Sequence, residues 1–67
     1  MKTWNIYRLD GSYVGQSQAR KAEVAFLQYT AIFRNTITLS EISAEEIEPG
    51  VCKVTFEGVS YILRAAR

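Results

Sequence analysis

Alternating apolar and polar positions predict a β-hairpin at the start of the chain. Segments 3–9 and 12–16 are rich in aromatic and β-branched side chains, which favour strands. Asp10 and Gly11 lie between them, and Asp-Gly suits a type I′ turn, in which both central residues adopt a positive φ. We therefore predict two antiparallel strands joined by a type I′ turn at Asp10-Gly11.

The pattern changes to a helical period after this hairpin. No Gly or Pro occurs over 19–34, and apolar residues recur at spacings of three and four: Ala22, Ala25, Phe26, Tyr29, Ile32 and Phe33. Ser17 is a candidate N-cap, Arg34 suits the last helical turn, and Asn35 is a candidate left-handed C-cap. The segment predicts one helix of about 25 Å that covers one face of a sheet.

The segment after the helix predicts a third strand over 36–42, where β-branched residues alternate with polar ones. Ser43 and Glu46 match a capping box and predict a single helical turn over 44–47, with a continued strand as the alternative. Pro49-Gly50 fits the two central positions of a type II turn.

The last segment has the clearest alternation in the chain. If Glu57-Gly58 is a two-residue turn, one face collects the pairs Phe56/Val59, Val54/Tyr61 and Cys52/Leu63. The other face then carries the mostly polar pairs Thr55/Ser60, Lys53/Ile62 and Val51/Arg64. A shift of one residue would mix the two faces, so the alternation predicts this register.

These elements predict a single α+β domain over 1–67. It consists of one antiparallel sheet of four to five strands with one helix packed on one face, in the order β-β-α-β-β-β. Alternating βαβ units are absent, which argues against a parallel doubly wound sheet. The strand order, and the face of the first hairpin that the helix covers, stay open.

Composition limits the chemistry available to the chain. Its 67 residues carry a net charge of +1 and include no histidine, the commonest general base and metal ligand. The single cysteine, Cys52, excludes an internal disulfide and a multi-cysteine zinc site, and its register places it in the core. We therefore expect a protein that is not an enzyme and binds no metal or cofactor.

The sequence also bears on location and on acidic chemistry. No apolar run approaches the roughly 18 residues that a membrane span needs, and we expect a cytoplasmic protein without a membrane partner. Four glutamates fall close together: Glu41, Glu45, Glu46 and Glu48. Apolar residues interrupt them, which favours a solvated acidic edge over a cation or catalytic site.

Basic residues concentrate in the first half of the chain, where 1–34 hold five basic and two acidic side chains. If the helix covers the hairpin face that carries Tyr7, an aromatic–basic patch is left exposed, and such patches stack nucleic-acid bases. If the helix covers Trp4 and Ile6, the patch does not form. The candidate nucleic-acid or ligand face consists of Trp4, Arg8, Tyr13, Arg20 and Lys21.

A second apolar strip lies on the back of the predicted helix. Val24, Leu27 and Ala31 recur at helical spacing opposite the main stripe, and contiguous apolar patches mark interfaces. We predict that these residues lie at or near a homodimer or partner interface. A rival dimer would join the last strand of each copy through backbone hydrogen bonds at a sheet edge.

The absence of catalytic groups and the second strip lead to one functional prediction. We expect a small non-enzymatic protein that acts stoichiometrically on a protein partner and forms a homodimer. Its size is typical of inhibitors and accessory proteins that phages and mobile elements carry. The alternative is a small nucleic-acid-binding module that uses the aromatic–basic hairpin face.

Overall fold

The computed structural model describes residues 1–33 and 36–66. It confirms the α+β fold, with one helix on one antiparallel sheet. The elements are β1 Lys2–Arg8, β2 Tyr13–Ala19, α1 Ala22–Ala31, a short 3₁₀ helix Leu39–Glu41, β3 Ile42–Glu48, β4 Val51–Phe56 and β5 Val59–Ala65.

The five strands lie in the order β2-β1-β5-β4-β3, and all neighbours are antiparallel. The last strand, β5, is therefore the central one, hydrogen-bonded to β1 on one side and to β4 on the other. The rival dimer through the last strand is excluded, because both edges of β5 are already paired. The edges of this sheet are β2 and β3.

The second hairpin has the register that the alternation predicts. Phe56 pairs with Val59, and Val54 and Cys52 pair with their expected partners on β5. Glu57 and Gly58 have φ values of 52° and 78°, the two positive angles that a type I′ turn requires. The face defined by these pairs packs against the helix.

The first hairpin forms, but the predicted type I′ turn is wrong. The Gly11 N–H donates to the Arg8 carbonyl (2.9 Å), and the Arg8 N–H donates to the Ser12 carbonyl (2.8 Å). Gly11 has a positive φ of 92°, whereas Asp10 does not. The Asp10 carboxylate instead accepts hydrogen bonds from the Ser12 N–H and hydroxyl, which favours a longer loop.

This loop and a bulge in β2 change the pairing of the hairpin. Ile6 pairs with Gly15 and Tyr7 pairs with Tyr13, so Val14 is an extra residue in β2. A two-residue turn at Asp10-Gly11 would have paired Arg8 with Tyr13. The bulge brings Tyr13 beside Tyr7 instead.

Helix α1 is shorter than predicted at its start. Ser17 is not the N-cap, because β2 continues as far as Ala19, which pairs with Lys2. The cap position belongs to Lys21, whose backbone is extended. At the other end α1 finishes at Ala31. Arg34, predicted for the last helical turn, and Asn35, the predicted C-cap, lie outside the described residues.

The segment between the helix and β4 also departs from the prediction. The third strand starts at Ile42, and its pairing with β4 gives a continued strand instead of a helical turn over 44–47. The capping box lies earlier, where the Glu41 carboxylate accepts from the Thr38 N–H at 3.1 Å. Gly50 has a φ of 79°, as the third residue of a type II turn requires.

The core lies between α1 and the sheet face that it covers. Phe26 of the helix and Ile6, Val54 and Leu63 of three neighbouring strands are almost fully buried. Further apolar residues complete the core: Trp4, Ala19, Ala22, Ala25, Ile37 and Ile42.

Candidate functional site

The helix covers the face of the first hairpin that carries Trp4 and Ile6. Trp4 is 3% exposed, and its indole N–H donates to the Ala19 carbonyl at 3.1 Å. The Lys2 ammonium lies 5.6 Å from the centroid of the Trp4 ring. Trp4 is therefore unavailable to stack a base, and the patch expected around it does not form.

The other members of that patch lie on separate surfaces. Tyr13 is 55% exposed and packs edge-on against Tyr7, with ring centroids 5.6 Å apart. Both rings belong to the sheet face opposite α1, since Tyr7 alternates with buried Ile6. Arg20 and Lys21 are exposed between β2 and α1, on the helix side of the molecule.

A basic depression on the helix-free face brings together residues from the two ends of the chain. It has a volume of about 390 Å³ and is lined by Tyr7, Arg8, Leu9, Gly11, Ile62 and Arg64. The antiparallel pairing of β1 with β5 places Arg64 there. Sequence analysis missed this depression, because no local sequence pattern predicts that β5 pairs with β1.

The predicted helix strip is partly covered. Val24 and Leu27 are half-buried and pack against the core, while Ala31 is exposed. The 3₁₀ helix Leu39–Glu41 contacts α1, and Leu39 lines a groove of about 450 Å³ with Val24 and Met1. Part of the strip therefore lies against the connection between α1 and β3.

An aromatic surface lies at the other end of the helix. We call it the aromatic groove. It has a volume of about 310 Å³ and is lined by Phe26, Tyr29, Thr30, Phe33, Ile37, Phe56, Glu57, Val59 and Tyr61. Its floor is the buried Phe26 ring, whose centroid is 4.9 Å from that of Tyr61 and 6.2 Å from that of Phe56. Tyr29 and Phe33 continue the cluster outward at 5.6 Å.

The rim of the aromatic groove is apolar and exposed. Phe33 is 73% exposed and Val59 is 53% exposed. Val59 and Tyr61 also border a neighbouring depression that contains Leu9, which is 62% exposed. Sequence analysis missed this surface because it assigned Phe33 to the buried stripe of a longer helix.

The pKa values of the Cys52 thiol and the Asp10 carboxyl are shifted from their ordinary values. Burial raises the pKa of the Cys52 thiol, and the carboxylates of Glu46 and Glu23 raise it further. Cys52 therefore stays a neutral thiol at physiological pH, which makes it a poor nucleophile. Hydrogen bonds from Ser12 lower the pKa of the exposed Asp10 carboxyl, with a smaller contribution from Arg8.

Comparison with protein-family models, curated proteins and solved structures gives no match. Within residues 1–33 and 36–66, no cluster of three or more acidic, cysteine or histidine side chains could hold a metal ion. The same residues contain no helix that is long and apolar enough to cross a membrane.

Proposed function

We propose that this is a non-enzymatic, cytoplasmic protein that binds one protein partner through the aromatic groove and occludes the partner's surface. One observation carries the proposal: Phe33 and Val59 are 73% and 53% exposed on the rim of a groove whose floor is aromatic. Water gains access to these apolar groups, and a partner that covers them removes that unfavourable hydration.

The shape of the groove indicates what kind of segment would bind. Its walls come from α1 and the β4–β5 hairpin, and the Phe26 ring of α1 packs against Phe56 and Tyr61 of the hairpin. Rigid aromatic walls lose little conformational entropy on binding, and aromatic anchors contribute much of the affinity at protein interfaces. We expect the partner to insert one or two apolar side chains between Phe33 and Val59.

Affinity capture of the tagged protein, compared across variants, tests this proposal. Val59→Lys places a charge on the rim, and Phe33→Ser removes the exposed ring, both without touching a buried side chain. Ile47→Lys is the matched control, because Ile47 is 57% exposed on the remote strand β3.

We expect one protein to be captured by the wild type and the Ile47→Lys control, and to be lost with both groove variants. Calorimetry with that purified protein should give a stoichiometry of one to one. It should also give a loss of at least about tenfold in affinity for Val59→Lys, since hot-spot changes exceed about 1.4 kcal/mol. Equal affinity of wild type and Val59→Lys would contradict the proposal.

A second candidate function is single-stranded nucleic-acid binding on the helix-free face. The observation in its favour is the basic depression, where Arg8, Arg64 and Tyr7 offer two guanidinium groups and a ring. The test is a gel shift with single-stranded DNA and RNA across a salt series. Binding that weakens with salt and is lost in Arg64→Glu would support it, and no shift at low salt would remove it.

A further inference from the structure

We infer that the edge strand β2 binds an extended acidic segment of a partner protein as an added strand of the sheet. The inference extends the proposed protein-binding function to a second surface, remote from the aromatic groove. It rests on the backbone groups of β2, on the contrast between the two sheet edges, and on the charges around β2.

The backbone groups that face outward from β2 can be assigned from the pairing of β1. The Ala66 N–H donates to the Thr3 carbonyl at 2.7 Å, so Thr3 directs its backbone groups toward β5. Because these groups alternate along a strand, Trp4 and Ile6 direct theirs toward β2, where they pair with Ser17 and Gly15. The backbone N–H and C=O of Gln16 and Gln18, which alternate with these, therefore face away from β1.

The two edges of the sheet differ in how they oppose strand addition. β3 carries Glu45, Glu46 and Glu48, and its pairing with β4 is interrupted by a bulge at Ile47. Charges and bulges of this kind protect an edge against further pairing. The β2 sequence YVGQSQA contains no charged residue and no proline, and after its bulge the strand is regular from Gly15 to Ala19.

Contacts with the helix keep β2 in an extended conformation. The Ser17 hydroxyl donates to the Gln28 side-chain oxygen at 2.9 Å. Gly15 lies so close to Tyr29 that a Cβ there would be 3.0 Å from the ring. An incoming strand would therefore meet a pre-ordered template, which lowers the entropic cost of binding.

Charge selects the kind of segment that this edge would accept. Four basic side chains flank β2: Lys2 beside Ala19, Arg8 beside the hairpin loop, and Arg20 and Lys21 directly after the strand. Three acidic side chains lie near them: Asp10 beside Arg8, and Glu23 and Glu46 in the depression that Lys2, Arg20 and Lys21 also line. Four basic against three acidic groups leave the surroundings of β2 net positive. Complementary charge steers association, and an extended segment rich in glutamate or aspartate fits this edge.

The test uses a fluorescent peptide of alternating valine and glutamate, as long as β2, and its lysine counterpart. Fluorescence anisotropy should show binding of the glutamate peptide, weaker binding of the lysine peptide, and weaker binding at higher salt. In hydrogen exchange, the glutamate peptide should protect the amides of Gln16 and Gln18 and leave those of β3 unchanged.

Variants of β2 and of the basic residues near it distinguish recognition through backbone hydrogen bonds from recognition through charge. Gln16→Pro removes an outward N–H and should weaken binding about tenfold, which corresponds to one hydrogen bond of about 1.4 kcal/mol. Gln16→Thr keeps that N–H and is the control at the same position, with affinity near that of the wild type. Arg20→Glu and Lys21→Glu should also weaken binding of the glutamate peptide, and both are exposed enough to leave the fold intact.

Several results would overturn the inference: no binding of the glutamate peptide, equal binding of both peptides, or unchanged exchange of Gln16 and Gln18. Self-association of the protein that the peptide reverses would also overturn it, because a second copy of this chain would then be the occupant of the β2 edge. Val59→Lys should not affect the peptide. A loss of partner binding in Val59→Lys, together with no peptide binding, would reject this inference and leave the proposed function standing.

Discussion

The two phenylalanines that α1 and the following turn contribute to the floor and the rim of the aromatic groove have opposite surroundings. Phe26 is 1% exposed and contacts the rings of Tyr29, Phe56 and Tyr61, whereas Phe33 is 73% exposed. Removal of a buried ring leaves a cavity, while removal of an exposed ring leaves the core unchanged. Substitution of Phe26 therefore tests the stability of the domain, whereas substitution of Phe33 tests the proposed binding surface.

We predict that Phe26→Ala lowers the free energy of unfolding by about 3–5 kcal/mol, as such changes in cores do. Phe33→Ala should change it by less than about 0.5 kcal/mol, because it lies on the surface. Urea unfolding, followed by the fluorescence of buried Trp4, measures both. Similar losses in the two variants would contradict the assignment of Phe33 to the rim of the groove.

At the scale of elements, the contact between β2 and α1 depends on a glycine. An added Cβ at Gly15 would lie 3.0 Å from the Tyr29 ring, and the φ of 158° is one that other residues rarely adopt. This contact sets how closely the helix packs on the edge strand.

We predict that Gly15→Ala destabilises the domain by about 1–3 kcal/mol, because it overpacks the interface. Tyr29→Leu removes the atoms that the new methyl group would meet. Combining the two changes should therefore cost less than the sum of the single costs, by about 0.5 kcal/mol or more. A thermal or urea unfolding cycle of the four proteins measures this coupling, and additive costs would rule out the close contact.

Strands and turns could be predicted from the sequence where the local pattern of apolar and polar residues was compatible with only one register. The hairpin around Glu57-Gly58 was correct to the residue, because its alternation segregates the faces in a single register. The start of α1 was wrong, because pairing with β1 extends β2 to Ala19 and overrides the N-cap preference of Ser17. The start of β3 was likewise set by its partner β4.

The candidate sites depend on long-range pairing and were therefore harder to predict from the sequence. Helical spacing identified Val24, Leu27 and Ala31. It could not predict that Leu39 lies beside Val24, because this contact depends on the path of the chain after the helix. The basic depression and the aromatic groove each combine residues from distant parts of the chain. Sequence periodicity does not contain that information.

At the scale of the whole molecule, the homodimer through Val24, Leu27 and Ala31 stays a prediction. Ala31 is exposed, so Ala31→Glu would place charges in that interface without disturbing the core. Leu27→Glu is less informative, since Leu27 also packs against the core.

We expect light scattering at high micromolar concentration to give twice the chain mass of 7.6 kDa for the wild type. Ala31→Glu should give the monomer mass, because two carboxylates would face each other near the dimer axis. Ile47→Glu, on exposed β3, is the control and should stay dimeric. A wild type of monomer mass would refute this dimer.

The central position of β5 has a consequence for how the protein is made. A ribosome synthesises β5 after the other four strands, and until β5 emerges the β1–β2 hairpin and the β3–β4 hairpin have no strand to join them. Chains grow at about 5–20 residues per second, so the first hairpin waits for several seconds, and the second for about one second, before β5 is complete. The sheet then closes in one late step, and a chain that stops before β5 is a substrate for chaperones and proteases.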